Sequence, residues 1–347
     1  MGDPSGIGPE LCIKALRQAP VGSPKTKLKL FGDLSHLQEV NALLGMPVTH
    51  AHLAEITEDT GPLGPYPAGT VAPNSGESAY RAITGAARAC LSGRAHAMVT
   101  APIHKEALNL AGYKWPGHTE LLAHLACPGS PPPVRMLLIN HELRVLLHTI
   151  HIPLKDVPSR ITPHDLLETI EIAHHCGHQY GQPSPKIAVA GLNPHASEGG
   201  NIGDEDIRVV APAIKAAQDR GIHVTGPWPG DTIFMRARMS PDDIHLVIAL
   251  YHDQGLIPIK YLGIDHGVNI TLGLPFVRTS VDHGTAFDIA HQWQASPASL
   301  LEAIDQARAM AQALPAQTPL SLYKTSCAAK RNSSPTPPRY SYHWRYL

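Results

Sequence analysis

Residues 245 to 288 hold the densest set of side chains able to do chemistry. Tyr251-His252-Asp253-Gln254-Gly255 reads as a polar turn at the end of an apolar run. Lys260, Asn269 and Arg278 follow at intervals of nine residues, and then Ser280-Val281-Asp282-His283-Gly284-Thr285-Ala286. Two cations and an amide suit a phosphate or carboxylate, which arginine can bind bidentately. Turn chemistry explains the glycines here but not cations beside apolar strand ends. Lys105, in Ala101-Pro102-Ile103-His104-Lys105-Glu106, joins Asp253 and Lys260 as a catalytic candidate, although it could equally cap a surface helix. His118 and Thr119 open an expected helix after a Pro-Gly turn and would add donors for an anion, or Thr119 is only its N-cap.

Three histidines share one context. His151 follows an expected strand over 145–147, His195 one over 187–190, and His252 one over 244–250. Three imidazoles at strand ends suit a divalent cation with one position open to substrate. Such an ion would ease proton loss from a hydroxyl and hold electron density if the resulting carbonyl compound loses CO2. The alternative is three independently hydrogen-bonded loop histidines, because the chain has 22 of them. His174, His175 and His178 read as surface or packing residues. A redox reaction would also need a nicotinamide to take hydride. Asp282, His283, Gly284, Thr285, Ala286 and Asp288 could line such a cofactor, which the chemistry of the residues alone does not establish.

These groups need a rigid frame. Apolar runs give strands over 28–31, 97–100, 134–139, 143–148, 186–192 and 245–250. Helical patterns cover 78–91, 163–175, 204–218 and 297–314. Residues 59–76 read as an extended loop and 226–231 as a Gly/Pro turn. Alternating strands and helices predict an α/β fold with a parallel or mixed sheet covered on both faces. Gly2-Asp3-Pro4-Ser5-Gly6-Ile7-Gly8-Pro9-Glu10 forms a tight loop running into a helix, and it matches neither the dinucleotide fingerprint nor the P-loop. A strand is expected before it.

Bulk properties narrow the class. The chain has 347 residues, 43% hydrophobic, with a net charge of −1, which argues against a nucleic-acid binder. No apolar run is long enough to span a membrane and no secretory signal is visible, so a cytoplasmic protein is expected. Five scattered cysteines without a CxxC pair read as reduced thiols. Residues 315–347 form a basic, Ser/Pro-rich tail expected to be disordered.

With these motifs in place, the chain resembles the 4-hydroxythreonine-4-phosphate dehydrogenase family of vitamin B6 synthesis. The likeness rests on GDPSGIGPE (2–10), TAPIHKEAL (100–108), GHTE (117–120), GLNPHASEGG (191–200), YHDQG (251–255) and GVNITLGLPFVRTSVDHGTAFDIA (267–290). It implies metal ligands at His151, His195 and His252, with zinc, magnesium or cobalt as the ion, and a site shared across a homodimer. It implies substrate contacts at His118, Thr119, Lys260, Asn269 and Arg278, and NAD or NADP as oxidant. The HGTAFDIA segment is similar to the cofactor loop of isopropylmalate and isocitrate dehydrogenases, implying two α/β/α domains with an interdomain cleft. On that reading residues 1–112 and 283–314 form a cofactor-side domain and 113–282 a central one carrying the metal site and dimer interface. Sister branches act on 4-phosphothreonate or 4-phosphoerythronate, or on a terephthalate dihydrodiol whose sites lack the GHTE pattern. A metal-dependent hydrolase of a phosphorylated small molecule and a non-catalytic anion-binding protein are the readings from other classes.

Overall fold

The computed structural model describes residues 1–18, 27–45, 48–263 and 267–314; the expected tail lies outside them. Two short strands, β1 (Leu30–Gly32) and β2 (Thr57–Asp59), pair in parallel. The other strands are β3 (Ala97–Thr100), β4 (Arg135–Ile139), β5 (Arg144–Leu147), β6 (Ile187–Ala190), β7 (Val224–Trp228), β8 (Leu246–Ala249), β9 (Val268–Leu272) and β10 (Val277–Val281). They form one mixed eight-stranded sheet in the order β3-β10-β9-β4-β5-β8-β6-β7.

Helices cover both faces of this sheet. One core packs the Pro163–His175, Ala211–Asp219 and Ala298–Ala313 helices against residues such as Leu137, Leu146, Val189 and Ile248. On the opposite face Ile233, Phe234, Leu256 and Ile259 close over Leu138, Val145, Val247 and Ala249. The IAVA and LVIA runs of β6 and β8 are therefore buried throughout, as strands covered on both sides must be. Between β4 and β5 the Asn140 side-chain oxygen accepts the backbone N–H groups of Glu142 (2.9 Å) and Leu143 (2.8 Å), which fixes the hairpin turn.

Several elements differ from the sequence reading. The stretch taken as a polar turn, 251–255, begins the His252–Tyr261 helix. Asp253 favours its N-terminus, and Gly255 lets it press on the sheet: a Cβ there would lie 2.6 Å from Leu147 Cδ2. Of the expected turn at 226–231, residues 226–228 are the end of strand β7, which tolerates Pro227 because it is an edge strand, and the turn follows from 230. The expected helix over 204–218 divides into a wide π turn, Asp206–Val210, and the Ala211–Asp219 helix. Cys127 is disulfide-bonded, against the reading of five reduced thiols; scattered spacing carries no pairing information. Among the described residues no helix is long and apolar enough to cross a membrane.

Candidate active site

Strand register assembles the anion-binding groups. Arg278 pairs with Met98, and Ser280 with both Thr100 and Asn269. Side chains alternate between faces, so Arg278, Ser280, Asn269, Thr271, Met98 and Thr100 share one face of the sheet. The His118–Ala126 helix packs on that face at Met98 through Leu121 and Leu122, while the His252–Tyr261 helix covers its other end through Leu256 and Ile259. The polar side chains lie between the two helices. Asn269 and Arg278 thus stand within strands, whereas the sequence places the cations beside strand ends.

Arg278 is the central feature. It is 4% exposed, and two of its N–H groups donate to hydroxyls, Nη1 to Thr271 (3.0 Å) and Nη2 to Thr100 (2.8 Å). Its Nε is buried without a hydrogen bond. Desolvation pulls its pKa down to about 10, with Glu120 in the facing helix opposing the shift. A buried cation held only by neutral groups is a standing demand for an anion. His118 opens the helix behind Gly117, with Thr119 next in its first turn. Burial holds the His118 imidazole well below its ordinary pKa, with a further push from the Arg278 cation, and its Nε2 has no hydrogen-bond partner. Lys260 reaches the same region in an ion pair with Asp282 at 2.8 Å.

The three histidines leave the sheet side by side. Their strands β5, β8 and β6 are neighbours and mutually parallel, so His151, His252 and His195 all emerge at the same end. The His151 and His252 rings stand 5.6 Å apart between centroids. Partial desolvation lowers the His151 pKa, and the charges of Lys105 and His252 lower it further. His252 Nδ1 bonds Asp253 Oδ1 at 2.7 Å, the carboxylate support common behind metal-binding imidazoles. Asp253 therefore acts on His252. His195 stands apart: residues 195–199 run through left-handed backbone (His195 φ 54°), and its side chain is 62% exposed. Among the described residues no three side chains of one chain converge tightly enough to hold an ion. By donor type, three imidazoles are what zinc or cobalt takes.

The cofactor-side motifs also meet. The backbone N–H of Ile7 donates to the Thr285 carbonyl at 3.1 Å, and Asp3 N donates to the Pro102 carbonyl at 2.9 Å. His104 stacks on Phe287 with centroids 4.9 Å apart. A Cβ on Gly6 would lie 2.8 Å from the Thr285 carbonyl oxygen, so glycine allows this approach. Loop 282–288 is thereby seated on the N-terminal loop and on the end of β3, with His283, Gly284 and Asp288 along it. Gly284 and Asp288 are exposed.

Four supporting residues escaped the sequence reading. Thr100 and Thr271 hold Arg278. Buried Asp206 anchors the His195 loop by accepting Leu192 N (2.6 Å), Asn193 N (3.0 Å) and Ser197 Oγ (2.8 Å). Gln254 ties two histidine-bearing strand ends together, accepting Leu250 N and donating to the Gly191 carbonyl, both at 2.7 Å. Each acts across a loop or between strands, where local pattern gives no signal. A cavity of about 690 Å³ opens beside Gln254, lined by Asn193, His195, Asp231, Tyr251 and Asp253 among others.

The family model for pyridoxal phosphate biosynthetic protein PdxA matches residues 22–307. A 4-hydroxythreonine-4-phosphate dehydrogenase of Beijerinckia indica is 47% identical over 319 residues, spanning 88% of this chain and 92% of that protein. A D-threonate 4-phosphate dehydrogenase of Cupriavidus necator is 42% identical over 324 residues, spanning 90% and 96%. The crystal structure of 4-hydroxythreonine-4-phosphate dehydrogenase from Klebsiella pneumoniae superposes with a TM-score of 0.80 at 42% identity, covering 90% of this chain and 96% of that one. An α/β dehydrogenase, a class that works with a nicotinamide cofactor, is what this fold and these relatives define. Within that class the chain belongs to the family of pyridoxal phosphate biosynthetic protein PdxA.

Proposed function

We propose that this chain oxidises 4-phosphohydroxy-L-threonine to 2-amino-3-oxo-4-phosphooxybutanoate with NAD or NADP. That product decarboxylates to 3-amino-2-oxopropyl phosphate in pyridoxal 5'-phosphate biosynthesis. The observation that carries the reading is Arg278, a buried guanidinium with hydroxyl partners only, on one sheet face with Asn269. Lys260, His118 and Thr119 complete a site for a small phosphorylated acid.

His151, His195 and His252 would hold a divalent zinc, magnesium or cobalt ion. When bound, the ion would polarise the substrate hydroxyl and the later carbonyl, and a nicotinamide would accept hydride. The chain's own groups do the rest. Arg278 and Asn269 fix the anionic end. Lys105, whose charge acts on His151, would stabilise the negative charge that develops on the substrate oxygen. Lys260, paired with Asp282, adds positive charge where the carboxylate is lost. Asp253 orients His252. Asp282, His283, Gly284, Thr285, Ala286 and Asp288 would seat the cofactor.

A homodimer sharing the metal site completes this reading. Met235, Met239, Ile257 and Tyr261 are exposed on the two helices next to the His195 cavity, and a second copy would cover them. On this reading residues 1–112 with 283–314 form one domain and 113–282 the other, with Ala303 and Ala307 of the last helix packed into the core of the second around Leu137 and Ile248. A cytoplasmic location suits the substrate.

The second reading keeps the site and changes the acid, because a relative at 42% identity is named D-threonate 4-phosphate dehydrogenase. Side-by-side assays with 4-phosphohydroxythreonine, 4-phosphothreonate and 4-phosphoerythronate decide between them by kcat/KM. A hydrolase would instead release phosphate without reducing the nicotinamide.

A further inference from the structure

Nothing in the sequence pattern joins Thr100 to Arg278; the sheet does. The antiparallel pair Thr279↔Ile270 places Thr271 opposite Arg278 one step further along, and β3 runs parallel on the other side with Thr100 beside Ser280. Arg278 is thus gripped from both neighbouring strands, by one hydroxyl each. No carboxylate lies within ion-pair distance of it among the described residues; Glu120 acts only from further away. Buried arginines ordinarily carry a carboxylate partner, because an unpaired charge costs several kcal/mol away from water. A hydroxyl satisfies an N–H but cancels no charge. The β-branch of threonine also limits rotation about χ1, which fixes where its oxygen points.

We propose that Thr100 and Thr271 are positioning residues that aim Arg278 and leave its charge uncompensated, and that they thereby set the site's selectivity for an anionic substrate. The inference rests on the reading of Arg278 as an anion contact. With both hydroxyls in place the guanidinium keeps one orientation, and its unpartnered Nε edge stays available. Removing either hydroxyl leaves an N–H unsatisfied, which would pull the guanidinium out of register. A carboxylate at either position would pair with it and abolish the demand for an anion.

The test is competitive inhibition by inorganic phosphate, together with KM and kcat for the phosphorylated substrate, on the metal-loaded enzyme. Thr100→Val and Thr271→Val should each raise the phosphate inhibition constant and KM roughly tenfold, the loss of one charge-assisted hydrogen bond. Fall-off in kcat should be smaller, and Thr100→Ser and Thr271→Ser should restore near-normal values. Thr271→Asp should fold and lose phosphate inhibition altogether. Arg278→Met is the control. If it leaves phosphate inhibition unchanged, the anion-site reading itself fails. If it abolishes inhibition while the Val variants behave as wild type, or Thr271→Asp keeps inhibition, the proposal is overturned. Equal loss in Val and Ser variants would mark a packing role and overturn it too.

Discussion

Arg278 separates the needs of folding from those of binding. A guanidinium with only hydroxyl partners contributes little to the fold, because its desolvation is not offset by an ion pair. Arg278→Met should therefore keep or raise the thermal midpoint while KM for the phosphorylated substrate rises about 100-fold, two charge-assisted hydrogen bonds being lost. Calorimetry and steady-state kinetics on the same preparation check both halves. His252 makes a different prediction. Its imidazole is held by Asp253, on the partly exposed first turn of a helix, and is not part of the apolar core. His252→Ala should lose bound metal, measured by elemental analysis, with a fold unchanged by circular dichroism. A variant with full metal content would remove His252 from the ligand set.

At the scale of elements, the site depends on how closely the His252–Tyr261 helix lies on β5 and β8. Gly255 sits at the contact, where a Cβ would meet Leu147 Cδ2 at 2.6 Å and both Ala249 Cβ and Val145 Cγ1 at 2.8 Å. Gly255→Val should cost about 2 kcal/mol through overpacking and, by lifting the helix, weaken metal affinity although no ligand is changed. Chemical denaturation and a metal titration read the two effects. The strands and helices with strong local signals were legible in the sequence. The helix Pro163–His175 has Thr162 as a side-chain cap and proline in its first turn, and its bounds follow from those residues. The buried runs of β6 and β8 stand out as continuous apolar stretches. The helix at 252–261 did not, because it is short, polar at its start and contains Pro258. Strand β7 was hidden by Gly226 and Pro227, which read as a turn and are tolerated only at a sheet edge. The candidate substrate residues were legible by type and spacing. Their grouping was not, since Thr100 and Arg278 are 178 residues apart and meet only through strand pairing.

For the molecule as a whole, two buried groups pull stability in opposite directions with pH. Burial lowers the pKa of His148 from 6.5 to about 4 and raises that of Asp3 from 3.8 to about 6. Between pH 4 and 6.5 the unfolded chain binds more protons at His148 than the fold does, so this contribution is complete above 6.5 and is lost as pH falls. At Asp3 the fold holds the extra proton, so stability declines as pH rises from 3.8 through 6. Asp3→Asn should make the thermal midpoint rise more steeply between pH 4 and 6.5, and His148→Asn should flatten that rise. The depressed pKa values of His36 and His118 add to the His148 side, so the wild-type midpoint should still climb with pH. Purified, metal-loaded protein is mixed with NAD and 4-phosphohydroxythreonine, beside 4-phosphothreonate and 4-phosphoerythronate, and reduction of the nicotinamide is followed by absorbance. NADH should form with the highest kcat/KM for 4-phosphohydroxythreonine, and Arg278→Met should lose this activity. Preference for either sugar acid would keep the site and replace the substrate. No reduction with any of the three, in folded metal-bearing protein, would contradict the account.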